Sequence, residues 1–221
     1  MSTVTLTAAD GHQFSAYKAG APGATMGLVV VQEIFGVNAH MRFASDTLAA
    51  AGFAVISPAL FDRAERDVDL GYTAETIQKG LELRARITEE QVMMDIEASA
   101  AALGLSSVGI IGYCWGGTIA WWGATRSTSF KAACGWYGGG IAATRTETPH
   151  CPVQLHFGAD DHSITADDVE AIRTAQPGAE IFVYEGANHG FGCEARASFN
   201  PTAFELAQSR SLEFFRKHLA G

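Results

Sequence analysis

The stretch Gly112-Tyr113-Cys114-Trp115-Gly116-Gly117 sets a thiol at the centre of a G-x-C-x-G pattern, with an apolar run before it and a helical pattern after it. A strand turning sharply into a helix at such a point is the setting of a nucleophile elbow, here with cysteine where serine usually stands. The turn forces strained backbone angles on Cys114, and side chains two positions before or after it would collide with neighbouring backbone, which accounts for Gly112 and Gly116. The helix N-terminus behind Cys114 favours thiolate over thiol. The backbone N–H of Trp115 would point at a developing oxyanion. Glycine-rich strand–helix turns also arise for packing alone, and a buried cysteine often serves as a small hydrophobe. The functional reading therefore depends on partners for the thiol.

A thiol nucleophile needs a base, and around such an elbow the partners follow in the order nucleophile, acid, histidine. Val153-Gln-Leu-His-Phe157 runs into Gly158-Ala-Asp-Asp-His-Ser163, which sets Asp160 and Asp161 just past the end of a predicted strand. Ile181–Tyr184 runs into Glu185-Gly-Ala-Asn-His-Gly-Phe191, which sets His189 in the loop after the last predicted strand. All these groups leave the sheet at one rim, where open α/β folds bind ligands. His189 would hold the thiol proton, and either aspartate would fix its tautomer and stabilise the imidazolium. Upstream, Val31-Gln32-Glu33-Ile34-Phe35-Gly36 reaches the same rim. Ile34 is assigned the second oxyanion N–H, and Glu33 reads either as an alternate proton acceptor or as an ordinary loop-end acid.

The elements that must carry these groups are legible as two periodicities. Val4–Thr7 and Gln13–Lys18 alternate around an Asp10-Gly11 turn and predict an antiparallel hairpin. Apolar runs at Met26–Val31, Phe53–Ser57, Val108–Gly112, Ala132–Tyr137, Val153–Phe157 and Ile181–Tyr184 predict central strands buried on both faces. Helical period occupies Ala39–Ala51, a charged segment from about Thr73 to Leu103, Gly116–Ser127, Thr165–Ala175 and Thr202–Leu219, the last with Pro201 in its first turn. Strands alternating with helices predict a mostly parallel sheet with helices on both faces. No repeat or linker divides residues 1–221, so a single domain is expected.

Composition narrows the partners. With 221 residues, 48% of them hydrophobic and 18% charged, the chain can bury a sizeable core and is not a disordered segment. A net charge of −9, with no Lys/Arg run longer than a pair, excludes the electrostatic footprint of a nucleic-acid or anionic-membrane binder. The 28 residues Ala98–Thr125 carry no charge and are long enough to cross a bilayer. They divide, however, into a helix end, a strand, the elbow and a helix, each too short to span. The N-terminus has neither a basic nor an apolar leader, so a cytoplasmic location is expected. Cys114, Cys134, Cys151 and Cys193 form no C-x-x-C pair and are expected as free thiols.

Gln32-Glu33-Ile34-Phe35-Gly36, the Gly112–Gly117 elbow, Gly158-Ala-Asp-Asp161-His162 and His189-Gly190-Phe191, in that order over almost the full length, resemble the dienelactone hydrolase (carboxymethylenebutenolidase) family. The resemblance implies an α/β-hydrolase fold and a Cys-Asp-His triad that opens an unsaturated lactone. The family's Gly-x-x-Asp-His pattern selects Asp161 over Asp160, and its glutamate, aligned with Glu33, activates the thiol when substrate arrives. The best-known members also carry an arginine four residues after the histidine, where this chain has Cys193. Arg196 is the nearby substitute. For a second family arginine in the helical segment before the elbow, Lys79, Arg84 and Arg86 are counterparts, of which Arg84 is assigned to substrate binding.

Among the aromatic neighbours of the elbow, Trp121, Trp122 and Trp136 are expected in the core, while Tyr137, followed by Gly138-Gly-Gly140 at a strand end, is expected in the substrate pocket. The reading is acyl transfer to water on a small lactone or ester by a monomer or small homo-oligomer, with no metal or organic cofactor implied, because the other histidines lack a ligand spacing such as H-E-x-x-H. A reactive low-pKa thiol in a non-catalytic or redox-sensing protein of the same fold is the alternative.

Overall fold

The computed structural model describes residues 1–20 and 22–220. Eight strands form one sheet: β1 (Ser2–Thr7), β2 (Gln13–Ala19), β3 (Gly27–Val31), β4 (Ala54–Pro58), β5 (Val108–Tyr113), β6 (Ala132–Trp136), β7 (Val153–Gly158) and β8 (Glu180–Tyr184), in the spatial order β1-β2-β4-β3-β5-β6-β7-β8. The first hairpin is antiparallel, as is β2 against β4, and every other pairing is parallel. The helices are α1 (Ala39–Ala50), α2 (Ala74–Arg84), α3 (Glu89–Ala102), α4 (Trp115–Arg126), the short α5 (Ile141–Thr144), α6 (Ala166–Ala175) and α7 (Pro201–Leu219).

Alternation along β5 shows how both faces are covered. Gly109 leaves room for Phe215 of α7 on one face, while its neighbour Ile110 packs on Gly123 of α4 on the other. Phe53 and Phe215 meet edge to face, which joins the α7 side to β4. Strands β3, β5, β6 and β7 are completely buried, as the apolar character of their runs predicts.

The structure differs in detail from the expected elements at three points. Ile181–Tyr184 is not a central strand: β8 pairs only with β7, and Val183 faces solvent at 42% exposure. The charged segment 73–103 is two helices, because Thr88 and Gln91 form a reciprocal capping box that starts α3 afresh. Two short elements went unpredicted, a 3-10 turn at Leu60–Arg63 and α5. The uncharged stretch divides as expected into the end of α3, β5 and α4, and among the described residues no helix is long and apolar enough to cross a membrane.

Parallel register sets the functional rim. Val31 of β3 lies opposite Gly112, Tyr113 of β5 opposite Trp136, Trp136 of β6 opposite His156, and Gly158 of β7 opposite Tyr184. The chain leaves these strands at one common edge within a few residues of Glu33, Cys114, Tyr137, Asp161 and His189.

Candidate active site

Cys114 sits between β5 and α4 at φ 56°, left-handed backbone that a non-glycine residue rarely occupies. Its N–H donates to the Trp136 carbonyl (3.0 Å), and its own carbonyl accepts from Gly117 (3.0 Å) and Thr118 (3.3 Å). A Cβ on Gly112 would run into the Gly116 carbonyl, and one on Gly116 into the carbonyls of Val31 and Gln32. Glycine at both positions is thus a condition for the elbow to close against the end of β3. The turn holds the Cys114 side chain half-exposed above a buried strand.

His189 Nε2 lies 3.2 Å from Cys114 Sγ, and His189 Nδ1 lies 2.8 Å from Asp161 Oδ2. Asp161 is buried, and its other oxygen accepts N–H bonds from Ser163 (2.8 Å) and Ile164 (3.2 Å), which locks the carboxylate towards the ring. Asp160, by contrast, is exposed. Burial alone would lower the His189 pKa, but hydrogen bonds to Asp161 and Cys114, and the charges those groups carry, outweigh it and push the value up to about 10. An imidazole so placed can hold the thiol proton as an imidazolium between two anions. The N–H groups of Ile34 and Trp115 find no acceptor among the described residues.

Glu33 is 1% exposed and pairs with Arg196, whose Nη1 is 3.2 Å from Oε1. Burial pushes its carboxyl up from the ordinary value, against the opposing pull of the Arg196 and His189 charges. Arg196 also lines a cavity of about 410 Å³ with Tyr72, Asn188, His189, Ala195 and Ser198. The Arg84 guanidinium is exposed and lies 5.8 Å from the Trp115 ring centroid. Lys79 is engaged with Glu65 and Arg86 with the Ala64 carbonyl.

Tyr137 is a correction: it is wholly buried rather than at a pocket surface. The chain after β6 does not open outward but passes beneath His189, whose ring centroid is 5.3 Å from that of Tyr137, and Gly192 closes over the phenol end. Tyr137 adopts φ 39°, and its hydroxyl has no hydrogen-bond partner among the described residues. Trp121, Trp122 and Trp136 are buried as expected, and all four cysteines are free thiols. Three neighbours of the site escaped the sequence reading. Asn188 accepts the His189 N–H (2.6 Å), Gln32 accepts from the Leu60 N–H (3.0 Å), and Tyr72 closes one side of the cavity. Only Gln32 and Asn188, adjacent to residues already singled out, carried a positional signal.

Comparison with known proteins agrees with this architecture. A model of the dienelactone hydrolase family matches residues 14–219. A Synechocystis protein provisionally named carboxymethylenebutenolidase is 34% identical over 212 residues, covering 87% of this chain and 86% of its own. An Escherichia coli protein of the same provisional name is 33% identical over 210 residues, 86% of this chain and 76% of its own. The crystal structure of a provisionally named dienelactone hydrolase from Klebsiella pneumoniae superposes with a TM-score of 0.82 at 30% identity, covering 98% of this chain and all of that one. Eight strands in a mostly parallel sheet, flanked by helices and bent at an elbow, make this an α/β-hydrolase fold. The chain belongs to the dienelactone hydrolase family.

Proposed function

We propose that this protein hydrolyses a small lactone or carboxylic ester through a thioester on Cys114, with His189 as proton carrier and Asp161 as its orienting acid. The observation that carries the reading is the position of His189, 3.2 Å from the Cys114 sulfur and 2.8 Å from Asp161. The thiolate attacks the carbonyl carbon, and the oxyanion forms against the N–H groups of Trp115 and Ile34. The acyl C–O bond breaks as the imidazolium of His189 gives its proton to the leaving oxygen. Water then attacks the thioester while His189 takes a proton from it, and the Cys114 sulfur departs as thiolate.

Glu33 is assigned as a second proton acceptor for the thiol. Its pairing with Arg196, which also faces the cavity, supports a role for Arg196 in binding a substrate carboxylate. Arg84, beside Trp115, is assigned as a second substrate-binding cation near the elbow. The names of the relatives favour an ester-bond substrate over a redox role for the thiol. Residues 1–221 are read as one domain, since one sheet takes strands from both ends of the chain and α7 packs back on β5, β6 and β7.

The test is turnover of a dienelactone and a chromogenic short-chain ester by the purified chain. Turnover abolished in both Cys114→Ala and His189→Ala, with an acyl adduct on Cys114 seen by mass spectrometry in rapidly quenched wild type, is the expected result. Turnover unchanged in Cys114→Ala would overturn the reading.

A further inference from the structure

We propose that Glu33, His40 and Cys193 form a binding site for a divalent transition-metal ion of the zinc class. The three residues come from distant parts of the chain: the loop after β3, the first turn of α1, and the turn that follows His189. Their donor atoms all lie within 4.8 Å of one another, and all three residues are buried, at 1%, 8% and 0% exposure. Buried polar atoms are ordinarily hydrogen-bonded. Here Glu33 Oε2 and His40 Nε2 are both buried without a partner among the described residues. Arg196 occupies only the other carboxylate oxygen of Glu33, Oε1, which leaves Oε2 for an ion.

The chemistry of the donor set selects the ion. Imidazole, thiolate and carboxylate together suit zinc and its borderline neighbours, whereas magnesium and calcium require oxygen ligands. Three protein ligands with a fourth position for water or an exogenous group is the zinc pattern. Metal–ligand bonds of about 2.0–2.3 Å put tetrahedral donor atoms roughly 3.3–3.7 Å apart, so with all separations within 4.8 Å no pair has to close by more than about 1.5 Å. On binding, the Cys193 S–H bond is replaced by a sulfur–metal bond and its proton goes to solvent, with no change of oxidation state. The carboxylate and thiolate together neutralise the dication, while Arg196 opposes it and keeps the affinity moderate. One consequence rests on the function proposed above: an ion held by Glu33 withholds it from the thiol, so occupancy inhibits turnover reversibly.

The test is a Co²⁺ titration of the full chain after dialysis against chelator, read by the thiolate-to-metal charge-transfer band, with Zn²⁺ stoichiometry by calorimetry. One ion per chain is expected, with the band lost and affinity reduced at least tenfold in Cys193→Ser and in His40→Gln, and both retained in Cys114→Ala. His40→Gln keeps the test decisive if Cys193→Ser does not fold. Absence of saturable binding overturns the proposal. So does a band that disappears in Cys114→Ala and survives in Cys193→Ser, which would place the ion on Cys114 and His189. Stoichiometric binding at Cys193 without inhibition upholds the site and overturns the role given to Glu33.

Discussion

Replacing Asp161 by asparagine tests the proposed proton path most sharply, because the structure dictates which way the new amide must face. The Ser163 and Ile164 N–H groups both point at one oxygen of Asp161, so the amide oxygen of the introduced side chain must take that position. Its NH₂ then faces His189 Nδ1 at the present 2.8 Å separation, as a donor where an acceptor stood. The ring responds by carrying its proton on Nε2, the nitrogen that must receive the thiol proton. For a hydroxyl nucleophile this tautomer fault costs about 10,000-fold in kcat. A thiol ionises more readily and leans less on its base. The expected loss here is roughly 100- to 10,000-fold, or about 2.7–5.4 kcal/mol of transition-state stabilisation. The assay is kcat/KM on a chromogenic ester, with melting temperature as a check on folding and the exposed Asp160→Asn as control, expected within about twofold of wild type. A loss below tenfold, or equal losses in the two variants, would refute the reasoning.

Other outcomes follow from the same geometry. Because His189 holds its proton up to about pH 10 when folded and only to its ordinary value of 6.5 when unfolded, its contribution to stability is complete below 6.5 and is lost as pH rises through 10. Melting temperature should therefore fall over that window in wild type and fall less steeply in Asp161→Asn, and parallel slopes would contradict this. Arg196→Ala should cost carboxylated substrates about 10- to 100-fold more in kcat/KM than neutral esters, and equal loss on both would argue against carboxylate binding. Gly116→Ala drives a methyl into the carbonyls of Val31 and Gln32, so urea unfolding should show a loss of at least about 1–3 kcal/mol; a neutral result would mean the elbow relaxes easily.

How far residues alone reveal this site depends on whether its parts are local. The elbow is contiguous, and its glycines answer to contacts within the turn and the adjoining strand end, so Cys114 was legible. His189 followed from strand order. Choosing between Asp160 and Asp161 was not possible from type and position, since one residue of turn decides which side chain faces the sheet rim; the family pattern picks Asp161, and that residue bonds His189. Tyr137 misled because three following glycines suggest an open mouth, whereas the fold of the 190–193 turn, a non-local event, covers it. The grouping of Glu33, His40 and Cys193 leaves no spacing signal at all, its members lying on three separate elements. Among the elements, β8 was read as central because a short apolar run looks alike at an edge and in the middle of a sheet. The break before α3 went unread, although a T-x-x-Q signature marks it at Thr88–Gln91.

The marginal place of β8 has a consequence for how the molecule wears out. Cys114 leaves a strand walled in on both sides, while His189 is delivered by the outermost strand, bonded along one edge only and half wetted along its length. Local opening is cheapest where backbone bonds are exposed and apolar contacts are few. The proposed nucleophile and its proposed proton carrier therefore belong to regions of unequal local stability. Gentle heating or mild denaturant is expected to separate the two before the central strands open, leaving an intact sheet with a stranded thiol.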